Sequence, residues 1–176
     1  MRVVVVDTNV ILIANNAHAG ASPECVTACV NRLNELMKSG VLVLDDGYRI
    51  LREYLKKTSP RKAKGVGDHF VDWALHHQGQ AKRVQLVALT EYEKHRYAEF
   101  PDPALEPLFD PPDRMFPAVS HKHPSHPPIW QAGDCKWLDW WPALAVHGVN
   151  VEFLCEADVC RYYKKKFPAK PAPLLP

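Results

Sequence analysis

Four consecutive valines, Val3 to Val6, are followed at once by Asp7, Thr8 and Asn9. Continuous β-branched residues without alternation are typical of a strand buried on both faces, as in a parallel sheet covered by helices. A second apolar run, Val10 to Ile13, comes directly after the polar triplet. Polar groups in such a position need hydrogen-bond partners or a functional role. The sequence therefore predicts a buried first strand with an acid at its carboxyl end.

The rest of the chain alternates between apolar runs and helical patterns. Further strands are predicted at residues 41–44, 84–89, 129–132 and 149–154. Helices are predicted at residues 23–39, 47–58, 67–78 and 90–97, from about residue 113, and at 135–147. For the first helix, Ser22 is the expected N-cap, Pro23 the first residue and Gly40 a left-handed stop. The alternation predicts an α/β fold, a three-layer α/β/α sandwich with a central parallel sheet of about five strands.

A length of 176 residues suits one domain with a long insertion better than two domains. We expect the domain to cover residues 1–160. Within it we expect a helical and basic insertion at about 57–100 and a proline-rich stretch at about 101–128. Residues 161–176 are predicted to be a basic, then proline-rich tail.

The length of the apolar segments and the spacing of the cysteines indicate where in the cell the protein is expected. No segment approaches the ~18 consecutive apolar residues of a membrane span. The N-terminus also lacks the ~7–15-residue apolar region of a signal peptide, so a cytoplasmic location without membrane contact is predicted. Five irregularly spaced cysteines favour reduced thiols over a disulfide framework. Cys25 and Cys29 with Cys155 and Cys160 keep a four-thiolate zinc site open as an alternative.

Acids recur where a functional site is expected. Sites in parallel α/β sheets form beyond the carboxyl ends of the strands. Asp7 follows the first predicted strand and Asp134 follows the fourth. Asp7 taken alone is more typical of a turn or a helix cap, because aspartate is common in both. Its place between two apolar runs favours a functional role for Asp7.

The segment DTNVILIA at residues 7–14 resembles the opening of PIN-domain nucleases. Later acids stand in that family's order: Glu53 in RILREYL, Asp113 in DPPDRMFPAV and Asp134 in WQAGDCKWLDW. The closing strand HGVNVEFL is also similar. The resemblance covers residues 1–155 and is interrupted by the predicted insertion and the proline-rich stretch.

This resemblance implies a metal-dependent nuclease. It implies that Asp7, Asp113 and Asp134 bind Mg²⁺ or Mn²⁺, and that Glu53 acts through water or at a second metal. It also implies that Thr8 and Asn9 orient the first carboxylate by hydrogen bonds. The chemistry of the residues agrees, because hard divalent cations prefer oxygen ligands and phosphodiester hydrolysis needs an activated water.

Two positions depart from the family pattern. Lys136 stands where many relatives have a second aspartate, two residues after Asp134, and Asp139 is a weak substitute for it. Asp110 competes with Asp113 for the third acidic position. We prefer Asp113 because Arg114, Phe116 and Ala118 follow it as the family pattern expects.

The predicted function is hydrolysis of RNA by an endoribonuclease. Basic residues after the Glu53 helix are candidates for holding the RNA backbone, together with one from the acidic segment. They are Lys56, Lys57, Arg61, Lys62 and Arg114. An antitoxin-like regulatory protein or a second copy of the chain are candidate partners.

Two other functions stay open at this point. The first is an inactive PIN module that serves as an RNA-binding or assembly platform, and Lys136 keeps it open. The second is a phosphotransfer protein with Asp7 as phospho-acceptor. Asn9 replaces the second aspartate of dehalogenase-type enzymes, and Thr90 stands where a receiver domain has its acceptor. A toxin role would fall within the nuclease hypothesis, although the length and the proline-rich stretch disfavour a minimal toxin.

Overall fold

A computed structural model describes residues 1–62 and 64–176. The strands are β1 (Val3–Val6), β2 (Val41–Asp45), β3 (Val84–Val87), β4 (Glu91–Glu93), β5 (Arg96–Tyr97), β6 (Ile129–Gln131) and β7 (Val151–Phe153). The helices are α1 (Thr8–Ala14), α2 (Pro23–Ser39), α3 (Arg49–Lys57), α4 (Val66–His77), α5 (Met115–Lys122), α6 (Trp137–Val146) and α7 (Glu156–Lys166). Five strands form one parallel sheet with helices around it. The predicted α/β/α sandwich is confirmed.

The valine strand β1 lies at the centre of the sheet, whose order is β3-β2-β1-β6-β7. Val3 is in register with Val41 on one side, and Val5 with Ile129 on the other. The chain builds outward from β1 to β3, then returns to build β6 and β7 on the opposite side. The strand order therefore reverses between β1 and β6, and such a switch point opens a crevice beyond the carboxyl ends of the strands.

Helix α2 begins as predicted but ends differently. The Ser22 hydroxyl accepts a hydrogen bond from the Cys25 amide at 3.1 Å, which makes Ser22 the N-cap. The left-handed stop predicted for Gly40 is wrong, because its backbone is extended at φ −100°. Glycine is needed there for close packing instead. A Cβ at this position would lie 2.4 Å from Leu36 Cδ1 and 3.2 Å from the Arg2 carbonyl oxygen.

Helices α1 and α7 were not predicted from the sequence. In α1, apolar residues occupy nearly every position, so no helical period marks it, and most of the helix is buried. Helix α7 has Glu156 and Asp158 in its first turn and three lysines in its last, which suits the helix dipole. It runs through residue 161, so the predicted tail boundary falls inside a helix.

The helix predicted from Thr90 to Tyr97 is wrong, because this segment is the antiparallel hairpin β4–β5. Tertiary contacts override its helical composition. Glu106 is completely buried and accepts hydrogen bonds from the Tyr97 amide at 2.7 Å and the Tyr92 hydroxyl at 3.0 Å. It also forms an ion pair with Arg96 at 3.2 Å. One buried carboxylate thus holds the hairpin against the proline-rich stretch.

Much of the region predicted as an insertion at 57–100 is integral to the domain. Strand β3 is the edge strand of the main sheet, and α4 packs against α1 and α2. The end of the chain is also attached, since Trp141 Nε1 donates to the Leu174 carbonyl at 2.9 Å. Within the described ranges, no helix combines the length and the apolar character needed to cross a membrane.

The prediction that all cysteines are reduced is wrong for one pair. Cys25 in α2 and Cys155 before α7 form a disulfide that joins positions 130 residues apart. Cys29 Sγ lies 3.8 Å from Cys155 Sγ, and Cys160 is a half-buried free thiol. A four-thiolate zinc site is not formed, because bonded sulfurs are not thiolates. Disulfides are rare in the reducing cytosol, so this bond does not support the predicted cytoplasmic location.

Candidate functional site

The four predicted acids converge on the crevice at the switch point of the sheet. Asp7 directly follows β1, and Asp134 lies in the loop after β6. Asp113 ends a 3-10 turn before α5, and Glu53 lies in α3. Helix α3 is held to this edge because the Tyr54 hydroxyl donates to the carbonyl of Val6. Four separated segments therefore bring negative charge to one place.

Asp7 is the most buried of these acids, with 1% of its surface exposed. Its Oδ1 accepts a hydrogen bond from the Asn9 amide at 2.8 Å, which makes Asp7 the N-cap of α1. Burial, together with the charge of Asp134, raises the pKa of Asp7 to about 7, although hydrogen bonding by Asn9 opposes the shift. The contact comes from the Asn9 backbone amide, so the orienting role of its side chain stays a prediction.

The pKa values of Asp113 and Asp134 are also raised. Burial raises the pKa of Asp113 to about 8, with further contributions from the charges of Asp7, Asp134 and Glu53. Burial also raises the pKa of Asp134. The hydrogen bond that its Oδ1 accepts from the Lys136 amide at 3.0 Å lowers the pKa and so opposes this shift. Negative charge gathered away from water favours either protonation or a bound cation.

Asp110 belongs to the same cluster, although it was set aside in favour of Asp113. One carboxylate oxygen from each of Asp110, Asp113 and Asp134 lies within 4.8 Å of the other two. Asp110 is also ion-paired with the ammonium of Lys136, 26 positions along the chain. Asp139, the weak alternative, lies elsewhere and accepts a hydrogen bond from the Tyr163 hydroxyl at 2.7 Å.

Gln131 shapes the loop that carries Asp134, and it was missed in the sequence. Its side chain is completely buried at the end of β6. Its Oε1 accepts hydrogen bonds from the amides of Ala132, Gly133 and Asp134, at 2.6, 3.1 and 3.2 Å. The signal that singled out Asp7, a polar residue ending an apolar strand, would also have found Gln131.

The hydrogen bond predicted from Thr8 to the first carboxylate is not formed in the structure. Thr8 is 9% exposed. Among the described residues, its hydroxyl has no hydrogen-bond partner. A buried polar group without a partner costs free energy comparable to a lost hydrogen bond.

Two cavities open beside the acids. The hairpin-side cavity has a volume of about 280 Å³ and is lined on its polar side by Arg49, Arg52, Glu53, Lys56, Glu91, Lys94 and His95. The α7-side cavity has a volume of about 540 Å³ and is lined on its polar side by Asn9, His18, Asp134, Lys136, Tyr162, Lys165 and Lys166. The acidic cluster thus has cationic side chains on both sides. Lys94 and the α7 lysines were not identified as site residues in the sequence.

The predicted RNA-contact residues divide into three groups. Lys56 lines the hairpin-side cavity, 3.9 Å from a Glu53 oxygen. Lys57, Arg61 and Lys62 are exposed and line neither cavity. The Arg114 guanidinium donates to the carbonyls of Phe109 and His95, at 3.1 and 3.5 Å, so it braces the loop beside the hairpin.

The donor set fits a hard divalent cation. All the clustered ligand atoms are carboxylate oxygens, which Mg²⁺ and Mn²⁺ prefer, whereas zinc sites favour nitrogen and sulfur. The shared burial of Asp7, Asp113 and Asp134, which raises the pKa of each, is also relieved when a cation binds.

No protein-family model, curated protein or solved structure matches this chain. The resemblance to PIN-domain nucleases therefore depends on the quoted motifs alone.

Proposed function

We propose that this protein is a ribonuclease that depends on Mg²⁺ or Mn²⁺ and resembles PIN-domain nucleases in mechanism. The observation that carries the proposal is the convergence of Asp7, Asp113 and Asp134 at the switch point, with the pKa of each raised by burial. Turn or helix-cap roles do not explain why three acids lie close together away from water, because each such role needs only one acid.

Asp7, Asp113 and Asp134 would hold the cation, with Glu53 and Asp110 close enough to contribute directly or through water. A bound divalent cation supplies an activated water and neutralises charge on the phosphate. The chain itself fixes the carboxylates in place. The Asn9 amide orients Asp7, and Gln131 holds the loop that carries Asp134.

RNA is the proposed substrate because the two cavities carry cations on either side of the acids. Lys56 and Lys94 would contact phosphates on the hairpin side, and Lys165 and Lys166 on the α7 side. Lysine and arginine contacts to phosphates supply most of the sequence-independent affinity of nucleic-acid binding. The exposed Lys57, Arg61 and Lys62 remain candidates for more distant contacts.

The second candidate function is an inactive RNA-binding module. It is favoured by one observation, the ion pair between Lys136 and Asp110 inside the acidic cluster. A lysine in that position would weaken cation binding if it neutralised the whole site. RNA binding without metal binding or cleavage would support this function.

Cleavage of labelled single-stranded RNA, with Mn²⁺ and with EDTA, tests the proposal. We expect cleavage with Mn²⁺ that EDTA abolishes, and a loss of at least ~10²-fold in Asp134→Asn because one ligand charge is removed. Asp139→Asn is the matched control, since Asp139 lies outside the cluster. Cleavage that persists in EDTA, or equal losses in the two variants, would contradict the proposal.

A further inference from the structure

The side chain of Lys136 returns into the acidic cluster. Its amide donates to Asp134 Oδ1 at 3.0 Å, while its ammonium pairs with Asp110 Oδ2. The side chain is 29% exposed, so the cation is partly withdrawn from water. A positive charge supplied by the chain itself thus lies among the carboxylates of Asp110, Asp113 and Asp134, whose oxygens are within 4.8 Å of one another.

This position limits how many divalent ions the cluster can hold. Two-metal sites hold their ions about 3.5–4 Å apart and need carboxylates to bridge or flank both. Asp110 is already engaged by Lys136, so it is not free to complete a second ion's ligands. A second divalent ion would also approach a fixed ammonium at short range. Lys165 and Lys166 in the same cavity add to that repulsion.

Asp7 and Glu53 are differently placed from Asp110. Asp7 makes no ion pair among the described residues, and its carboxylate faces the charge of Asp134. The nearest cation to Glu53 is Lys56, 3.9 Å away with a side chain that is 74% exposed. No cationic side chain among the described residues is ion-paired with Asp7 or Asp113. One divalent ion is best accommodated by Asp7 and Asp113 together with Asp134, which lie close enough to raise one another's pKa.

We propose that the Lys136 ammonium takes the place of a second divalent cation, so that the centre holds one Mg²⁺ or Mn²⁺ and Lys136 contacts the phosphate of the RNA. This inference rests on the proposed ribonuclease function and deepens it. In this role the Lys136 ammonium donates to a non-bridging phosphate oxygen. A lysine ammonium suits this role because it is a compact point charge with three donors.

The number of bound ions tests the proposal without RNA. The full chain is titrated with Mn²⁺, and unbound Mn²⁺ is measured by its electron paramagnetic resonance signal. We expect one ion per wild-type chain and two in Lys136→Asp, which restores a carboxylate and frees Asp110. Lys164→Asp is the matched control, because it changes the charge equally at an exposed residue that lines neither cavity. It should still bind one ion.

The outcomes separate this proposal from the proposed function. Two ions in an RNA-cleaving wild type would overturn the role of Lys136 and leave the nuclease intact. No ion in the wild type would overturn both. One ion in a folded Lys136→Asp would also overturn the role of Lys136.

If Lys136→Asp does not fold, Lys136→Met provides the second measurement. It should keep one Mn²⁺ per chain and lose about 10²-fold in the rate of RNA cleavage, which is the effect of removing one preorganised donor. Lys164→Met should cleave at the wild-type rate. Equal rates in Lys136→Met and the wild type would overturn the proposal.

Discussion

The Asn9 amide donates a hydrogen bond to Asp7 Oδ1 over 2.8 Å, so one carboxylate both caps α1 and faces the acidic cluster. The two roles have opposite consequences for stability. The cap needs only an oxygen that accepts a hydrogen bond, and an asparagine amide can supply it. The cluster penalises the negative charge itself, because Asp7 is buried near Asp134. The effects of shape and charge at Asp7 can therefore be separated.

Asp7→Asn should raise the melting temperature in metal-free buffer at pH 8, because it removes a buried charge and keeps the cap. Thermal unfolding with EDTA checks this expectation. Asp72→Asn, at a side chain that is 48% exposed on α4, is the control and should change little. A lower melting temperature for Asp7→Asn would mean that Asp7 serves only as a cap.

Mn²⁺ should reverse that order of stability. A ligand that binds only the folded state adds RT ln(1 + [L]/Kd) to the free energy of unfolding, about 2.7 kcal/mol at a hundredfold excess over Kd. The wild type should gain this stabilisation, and Asp7→Asn should gain much less because a ligand charge is missing. The measurement is the same unfolding experiment with and without Mn²⁺. Equal shifts in the two proteins would exclude Asp7 as a ligand.

The stability of the metal-free protein should depend on pH through Asp7 and Asp113. Their pKa values in the folded chain are about 7 and about 8. In the unfolded chain both lose their protons near pH 4. The folded state thus binds more protons between about pH 4 and pH 8, so these two groups lower the free energy of unfolding as the pH rises through that window.

The double variant Asp7→Asn/Asp113→Asn should remove this part of the pH dependence. Urea unfolding from pH 5 to pH 8 measures it as the difference in free energy between wild type and variant, which should widen as the pH rises. Glu35→Gln, at an exposed acid on α2, should give a constant difference. A constant difference for the double variant as well would contradict the assigned pKa shifts.

Gln131→Met should lower both stability and Mn²⁺ affinity. The substitution roughly keeps the volume but removes the oxygen that accepts three amides of the Asp134 loop. Buried amides left without a partner cost about 1–3 kcal/mol each, less where water enters. Gln78→Met, at the half-buried end of α4, is the matched control. Unchanged Mn²⁺ affinity in Gln131→Met would show that Gln131 does not position Asp134.

Local sequence determined the parts of the fold that have local causes. The four valines predicted the buried strand β1, because a fully buried strand has a composition of its own. Ser22 and Pro23 predicted where α2 begins, because a capping hydroxyl and a proline at the first position are local signals of a helix start. The hairpin at residues 91–97 could not be predicted, since its stability depends on Glu106, which lies outside it.

Contacts between distant segments limited how much of the site could be predicted from the sequence. Asp7 and Asp134 could be found because each follows a strand of one parallel sheet. The pairing of Lys136 with Asp110 spans 26 positions and depends on how the proline-rich stretch folds over the crevice. The disulfide between Cys25 and Cys155 spans 130 positions, and only the fold brings the two sulfurs together.

The rate at which Asp113→Asn cleaves single-stranded RNA in Mn²⁺, relative to wild type, tests the central claim most directly. Asp113 has no cap or ion-pair role in the described structure, so its loss should affect the chemistry and not the fold. We expect a loss of at least ~10²-fold, with a melting temperature in EDTA equal to or above that of the wild type. Cleavage by Asp113→Asn at the wild-type rate would contradict a metal centre built from these acids.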